Sequence, residues 1–235
     1  MNLFYFAPSL RRDYIDSILA RTFAQFSSMK RDYDESMRQR NALLKKIRDG
    51  EAKREDLSYW DRAFLAKAEV YHLYRKKWCD FIRENTDIVS AFLPKYTLEF
   101  HYEDSILEHG GIDTLESYLE QNRERDILSG HTHIGPHLDD FGFTIHREPS
   151  HLFLSRGENK VLLLALKQLE ILFIRRHLSL PIVLLFDDIF AELDLDHAER
   201  VIETLHTDQV ILTTQRALPK SEKWAHFACI NLENR

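Results

Sequence analysis

The sequence predicts an α/β body carrying a long α-helical hairpin, and three observations support that class. Residues 181–188 run Pro-Ile-Val-Leu-Leu-Phe-Asp-Asp, five large apolar side chains ending in two adjacent carboxylates. A continuous apolar run of this kind reads as a parallel strand covered on both faces. From residue 96 onward, short strand-like runs alternate with helical ones, as in a layered α/β body. Before that, residues 9–84 hold no proline and one glycine, Gly50, within two long stretches of helical periodicity.

Taken in order, residues 9–48 form one helical pattern. Tyr14, Ile18, Thr22, Phe26, Met29, Tyr33 and Met37, then Leu43, Leu44 and Ile47, follow spacings of three and four, and Gly50 marks the stop. After a charged segment, 49–56, a second helix runs from Asp61 to about Glu84, with Phe64, Ala68, Tyr71, Trp78, Phe81 and Ile82 on its buried side. Two long helices with a short connection fold into an antiparallel hairpin. Residues 1–95 are therefore expected to form a helical lobe and 96–235 a second domain. There, 97–102 alternates as a half-buried strand, 115–128 reads as a helix, 130–140 as a polar loop and 141–146 as another strand. A helix over 159–177 leads to the apolar strand ending at Asp187. A short helix at 196–205, a strand at 209–213 and a last strand at 227–232 complete the pattern.

Composition narrows the class. With 235 residues, 44% hydrophobic and 30% charged, the chain has the make-up of a globular protein with a proper core. No apolar run reaches the ~18 residues of a membrane span, the N-terminus lacks the features of a signal peptide, and no membrane association is expected. Cys79 and Cys229 stand far apart, so a reducing cytoplasm is the default setting. The net charge of −6 hides an asymmetry: residues 1–95 carry 19 Lys and Arg against 14 Asp and Glu, and the rest 13 against 24. A basic working surface on an acidic body would give this pattern, as would an ordinary solvated helix face.

Ligands of open α/β sheets bind beyond the carboxyl ends of the strands. Two like charges there cost free energy unless a cation or a reaction uses them. Asp187 and Asp188 are thus candidate metal-binding or catalytic acids, the alternative being a pair that favours a helix start. Upstream, Ser155-Arg156-Gly157-Glu158 opens a helix. It offers a hydroxyl and bare N–H groups to an anion, or simply an N-cap whose capping box Glu158 completes. His131, His133 and His137 beside Asp139 and Asp140 offer zinc-type donors, although a polar loop is the simpler reading. Arg75-Lys76-Lys77 with Trp78 would suit nucleic-acid phosphates or a solvated face equally. None of the seven glycines begins a Gly-x-x-x-x-Gly-Lys-Ser/Thr loop, which an ATPase of the P-loop kind needs to hold phosphates.

In this order and spacing, the motifs resemble those of the RecF family of DNA replication and repair ATPases. The patches are the Ser155–Glu158 turn, the strand ending at Asp187 and Asp188, Ala191-Glu192-Leu193-Asp194, and Thr213-Thr214-Gln215. Outside them, Ser9-Leu10-Arg11-Arg12-Asp13-Tyr14 looks like the family's Arg-Arg entry to its helical lobe. Arg38-Gln39-Arg40-Asn41-Ala42-Leu43-Leu44-Lys45 resembles its Gln-Arg-Asn-x-Leu-Leu-Lys helix, and Gly135-Pro136-His137-Leu138-Asp139-Asp140 its Gly-Pro-His-Arg-Asp-Asp loop.

The resemblance implies the C-terminal half of an ABC-type P-loop ATPase head plus an α-helical hairpin lobe. By it, Asp187 would be the Walker B acid associated with Mg2+, and Asp188 the acid beside the attacking water. Ser155 and Gly157 would form the signature motif that meets the γ-phosphate bound by an opposite protomer, with Asp194 in the D-loop at that interface. Gln215 stands where many cassette ATPases have a switch histidine. Arg11, Arg12, Arg38, Arg40, Lys45 and Lys46 would be candidate DNA contacts. Three positions depart from the pattern: Leu138 for Arg, Glu158 for Gln and Asp188 for the commoner Glu. The implied cofactors are ATP and Mg2+, once the missing phosphate loop is supplied. The implied partners are DNA at single-strand/duplex junctions, RecO- and RecR-like mediators, and a second copy or an N-terminal half-protein. Without that loop the chain is not expected to hydrolyse ATP alone. A non-catalytic DNA- or mediator-binding remnant and one half of a split ATPase are the alternatives.

Overall fold

The computed structural model describes residues 7–187, 208–215 and 227–230. The helix expected at 196–205, the end of the strand expected at 227–232, and Asp188 and Asp194 lie outside them. By contacts the chain divides into two units, Met1–Thr86 with Thr97–Phe153, and Asp87–Tyr96 with Leu154–Arg235.

In the first unit, the single helix expected over 9–48 is two, α1 (Pro8–Thr22) and α2 (Phe26–Arg48). The break comes at Phe23, whose backbone is extended. No glycine or proline causes it. The Thr22 hydroxyl donates back to the Ile18 carbonyl at 2.8 Å, and Phe23 leaves the helix to set its ring 5.2 Å from that of Tyr74. Helix α3 (Leu57–Glu84) folds back along α2 as the expected hairpin. The aromatic stripe is its packing: Tyr33 lies 4.9 Å from Tyr71 and 5.7 Å from Phe64, ring to ring, and all three are buried. Leu44, Ile47, Leu57 and Ile127 close an apolar cluster at the connection.

Strands β1 (Glu99–Glu103), β2 (Asp140–Ile145) and β3 (Glu148–Pro149) form an antiparallel sheet, with Phe100 opposite Phe143 and Tyr102 opposite Phe141. Helices α5 (Ile112–Gln121) and α6 (Arg123–Ser129) replace the single helix expected over 115–128, parting at Asn122. Helix α1 packs on β2, where Tyr14 and Phe141 stack at 6.3 Å. This is why residues 97–153 cluster with the helices, whereas a boundary at 95 groups them with the later segment.

The second unit holds α4 (Thr86–Phe92), α7 (Arg156–His177), β4 (Val183–Phe186) and β5 (Gln209–Leu212). The two strands pair in parallel, Val183 with Gln209 through Phe186 with Leu212. The apolar run at β4 is not covered on both faces as its composition suggests. Val183 is 51% exposed, Leu185 70% and, on β5, Ile211 48%. Alternate residues of this two-stranded sheet face solvent. Residues 227–230 take no strand pairing. Among the described residues no helix is long and apolar enough to cross a membrane.

Candidate functional site

Parallel pairing brings the ends of β4 and β5 side by side, so Asp187 and Thr213 meet one residue beyond each strand. The Thr213 backbone N–H donates to the Phe186 carbonyl at 2.9 Å, extending the ladder. Its hydroxyl donates to Asp187 Oδ1 at 2.7 Å. Asp187 is exposed and its second oxygen has no hydrogen bond among the described residues. An exposed carboxylate oriented by a neighbouring hydroxyl, at the carboxyl end of a parallel strand, suits a hard divalent cation such as Mg2+. Thr213 belongs to the Thr213-Thr214-Gln215 patch of the sequence, where it carries no assigned role; the pairing with Asp187 gives it one. Gln215 follows two residues later in a bend.

At the start of α7, Ser155 is the N-cap. The Glu158 backbone N–H donates to Ser155 Oγ at 3.2 Å, and the Ser155 N–H donates to Glu158 Oε2 at 2.9 Å. The capping box is thus formed, which leaves the Ser155 hydroxyl proton still available to an outside acceptor. The Tyr96 hydroxyl donates to the other Glu158 oxygen at 3.0 Å. Slight burial works against ionisation of Glu158, but these hydrogen bonds outweigh it and hold the carboxyl below its usual range. Ser155, Arg156 and Gly157 are exposed. A Cβ added to Gly157 would meet no atom of the described residues within 4 Å, so none of them requires glycine there. A bare backbone facing open space at the N-terminus of a 22-residue helix fits the close approach of an anion.

The six candidate cations divide sharply. Arg38, Lys45 and Lys46 are exposed on α2, Arg38 beside Glu35. Arg11 is mostly buried and bound to both oxygens of Asp140, and Arg12 donates to the Asp139 carbonyl at 3.0 Å. Arg40 is a correction to the sequence reading: its side chain is 0% exposed, donating to Asp61 at 2.8 Å and to Asp126 at 2.8 Å. A guanidinium enclosed in this way cannot meet a DNA phosphate. Arg75 is equally enclosed, between Asp16 and Asp139. Trp78 beside it is buried, Lys76 pairs with Asp80, and Lys77 lies over the Phe23 and Tyr74 rings.

The 135–140 loop closes over this charged interior. Gly135 has φ +127°, and a Cβ there would press on Phe64 and on the Tyr33 hydroxyl, both at 3.0 Å. His137 takes the Tyr33 hydroxyl on Nδ1 at 2.7 Å and faces the Thr132 carbonyl through Nε2 at 3.1 Å. Burial pushes its imidazole down to about 4. His133 bonds Asp126 at 2.8 Å. The three histidines have separate surroundings, and among the described residues no group of three or more His, Cys, Asp or Glu is placed to hold a metal ion. Burial raises Asp139 despite the neighbouring Arg75. Leu138, where the family's pattern has Arg, is 47% exposed.

No family model matches the sequence. Individual relatives do. The DNA replication and repair protein RecF of Moorella thermoacetica is 31% identical over 228 residues, covering 92% of this chain and 60% of that protein. Those of a Cyanothece and a Synechocystis species are 27% and 29% identical over 95% of the chain and 62% of their own length. A solved structure of the recombination mediator protein RecF with ATP, in the RecFOR pathway, superposes with a TM-score of 0.78 at 22% identity, over 92% of this chain and 60% of that one. The chain thus spans about 60% of the length of the relatives it matches. The shared fold is the C-terminal part of an ABC-type head with a helical lobe.

Proposed function

The chain belongs to the RecF family of DNA replication and repair proteins, and from that premise we propose that it serves ATP-dependent binding of DNA at gaps or single-strand/duplex junctions in recombinational repair. In this reading Asp187 holds Mg2+ and Asp188 faces the attacking water. Ser155, Gly157 and Asp194 meet a nucleotide held by an opposite protomer, and Gln215 occupies the switch position. The Gly-x-x-x-x-Gly-Lys-Ser/Thr loop would come from sequence outside these 235 residues. RecO- and RecR-like mediators are the expected partners. The observation that carries the reading is the exposed Asp187 carboxylate, bound by Thr213 at the carboxyl ends of two parallel strands.

ATP with Mg2+ should show no micromolar binding to the 235-residue chain alone; micromolar binding would contradict the reading. With the loop-bearing segment supplied, Asp188→Asn should abolish turnover and spare nucleotide binding, and Asp187→Asn should lose the Mg2+ dependence. Undiminished hydrolysis in Asp188→Asn would remove that residue from catalysis.

A second reading, one half of a split ATPase joined by a separate loop-bearing half, is favoured by the exposed apolar side chains of β4 and β5. Those residues have the composition of a covered strand, and a complementary half would cover them.

A further inference from the structure

We propose that a cup between α2 and the loop 129–133 binds a phosphate of a nucleic-acid backbone, with His131 and Asn41 as contacts beside Lys45 and Arg38. The inference rests on the DNA-binding reading above and gives it a site. The cup has a volume of about 540 Å³; its wall is mostly apolar, with Met37, Ala42 and side-chain stems, and Asp34, Arg38, Asn41, Lys45 and His131 supply its charged and polar groups.

Its donors are positioned from within. Asn41 Oδ1 accepts both the Thr132 backbone N–H, at 2.9 Å, and the Thr132 hydroxyl, at 2.7 Å. An amide N–H can only donate, so the Asn41 atom facing it must be the oxygen, and the Nδ2 group is left with two protons and no partner among the described residues. The Thr132 hydroxyl in turn accepts from Arg40 Nη1 at 2.7 Å. The enclosed Arg40 is thus a positioning residue, ordering Thr132 and through it Asn41.

Lys45 is positioned by Gly130, at φ +70°. A Cβ on Gly130 would lie 2.7 Å from Lys45 Cγ, so the lysine stem rests on bare backbone. Neither the Lys45 ammonium nor the exposed His131 ring has a hydrogen-bond or ion-pair partner among the described residues. Asp34, the one acid in the lining, is engaged by Lys30 at 2.8 Å. Uncommitted donors on the residues that border a solvent-open cup, whose one lining acid is paired, make a site for an oxyanion. A phosphodiester, with its charge spread over unesterified oxygens, matches it better than an uncharged ligand would.

The test is fluorescence anisotropy of the 235-residue chain with a labelled gapped duplex, titrated at several salt concentrations. The double variant Lys45→Gln/His131→Gln should bind several-fold more weakly, and the slope of log affinity against log salt should fall by about 1. Lys67→Gln, outside the cup and paired with Asp32, should match the parent. Equal affinity and slope for the double variant and parent would overturn the cup while leaving DNA binding intact. If the parent binds no DNA, the nucleic-acid assignment falls. The cup is then judged by the His131 ring signals in NMR during titration with inorganic phosphate: saturable movement supports an oxyanion site, and no movement overturns it. Equal sensitivity of polyglutamate binding to the double variant would also overturn the nucleic-acid assignment, making the partner an acidic peptide.

Discussion

The two units dispose of charge and apolar surface in opposite ways. In the unit built on α1–α3 and the antiparallel sheet, Arg40 and Arg75 are enclosed and each meets two carboxylates, while Phe141, Phe143 and Ile145 of β2 are buried. In the parallel pair β4–β5, charge stands at the open end and Val183, Leu185 and Ile211 face solvent. Covering such side chains is worth roughly 1–2 kcal/mol each. The first unit pairs its enclosed arginines with its own carboxylates. The second presents surface whose stabilisation depends on something else lying against it.

The largest expected effect lies in the enclosed charges. Arg40→Met leaves Asp61 and Asp126 without their shared cation and should cost about 3–5 kcal/mol in urea unfolding. A cost below about 1 kcal/mol would mean that this interior is wetter than its burial indicates, and the contrast between the units would weaken.

Next is the pH response of His137. Its folded imidazole sits near 4 against 6.5 for the free side chain. Between those values the unfolded chain takes up a proton that the folded one refuses. The stabilisation is therefore whole above pH 6.5 and is lost as pH falls toward 4, amounting to about 3 kcal/mol. Asp139, raised by burial, acts with the opposite sign, so the test is the difference between the parent and His137→Gln. The variant should show a shallower loss of unfolding free energy between pH 7 and pH 4. Parallel curves would remove His137 as the source.

The smallest effect belongs to the parallel pair. Leu185→Lys should change the stability of the chain by no more than about 0.5 kcal/mol. Phe143→Lys, the same kind of change in the antiparallel sheet, should cost at least about 3 kcal/mol. Similar losses at both positions would erase the distinction.

The parts legible in the sequence were those governed by local pattern. The alternation of 97–102 and 141–146 and the apolar run before Asp187 each mark a strand that forms within one or two residues. The breaks at Phe23 and Asn122 were illegible because no glycine or proline makes them; Phe23 departs to reach Tyr74, a residue of another helix. The enclosure of Arg40 was illegible for a related reason. Its partners, Asp61 and Asp126, lie 21 and 86 positions away, and on its own helix an arginine among polar neighbours looks solvated. The same distance hid Asn41, whose geometry comes from Thr132.

Gly157 carries a consequence for inheritance. One base change converts any glycine codon to alanine, and here no described residue resists the added methyl. In a helix, alanine in place of glycine is worth roughly 0.5–1 kcal/mol. In a lineage where this turn only starts a helix, drift and the stability gain both move the position to alanine. In one where it still receives a phosphate, the methyl obstructs the approach and is purged. The residue at this position across descendants of the sequence therefore reports whether the turn remains in use.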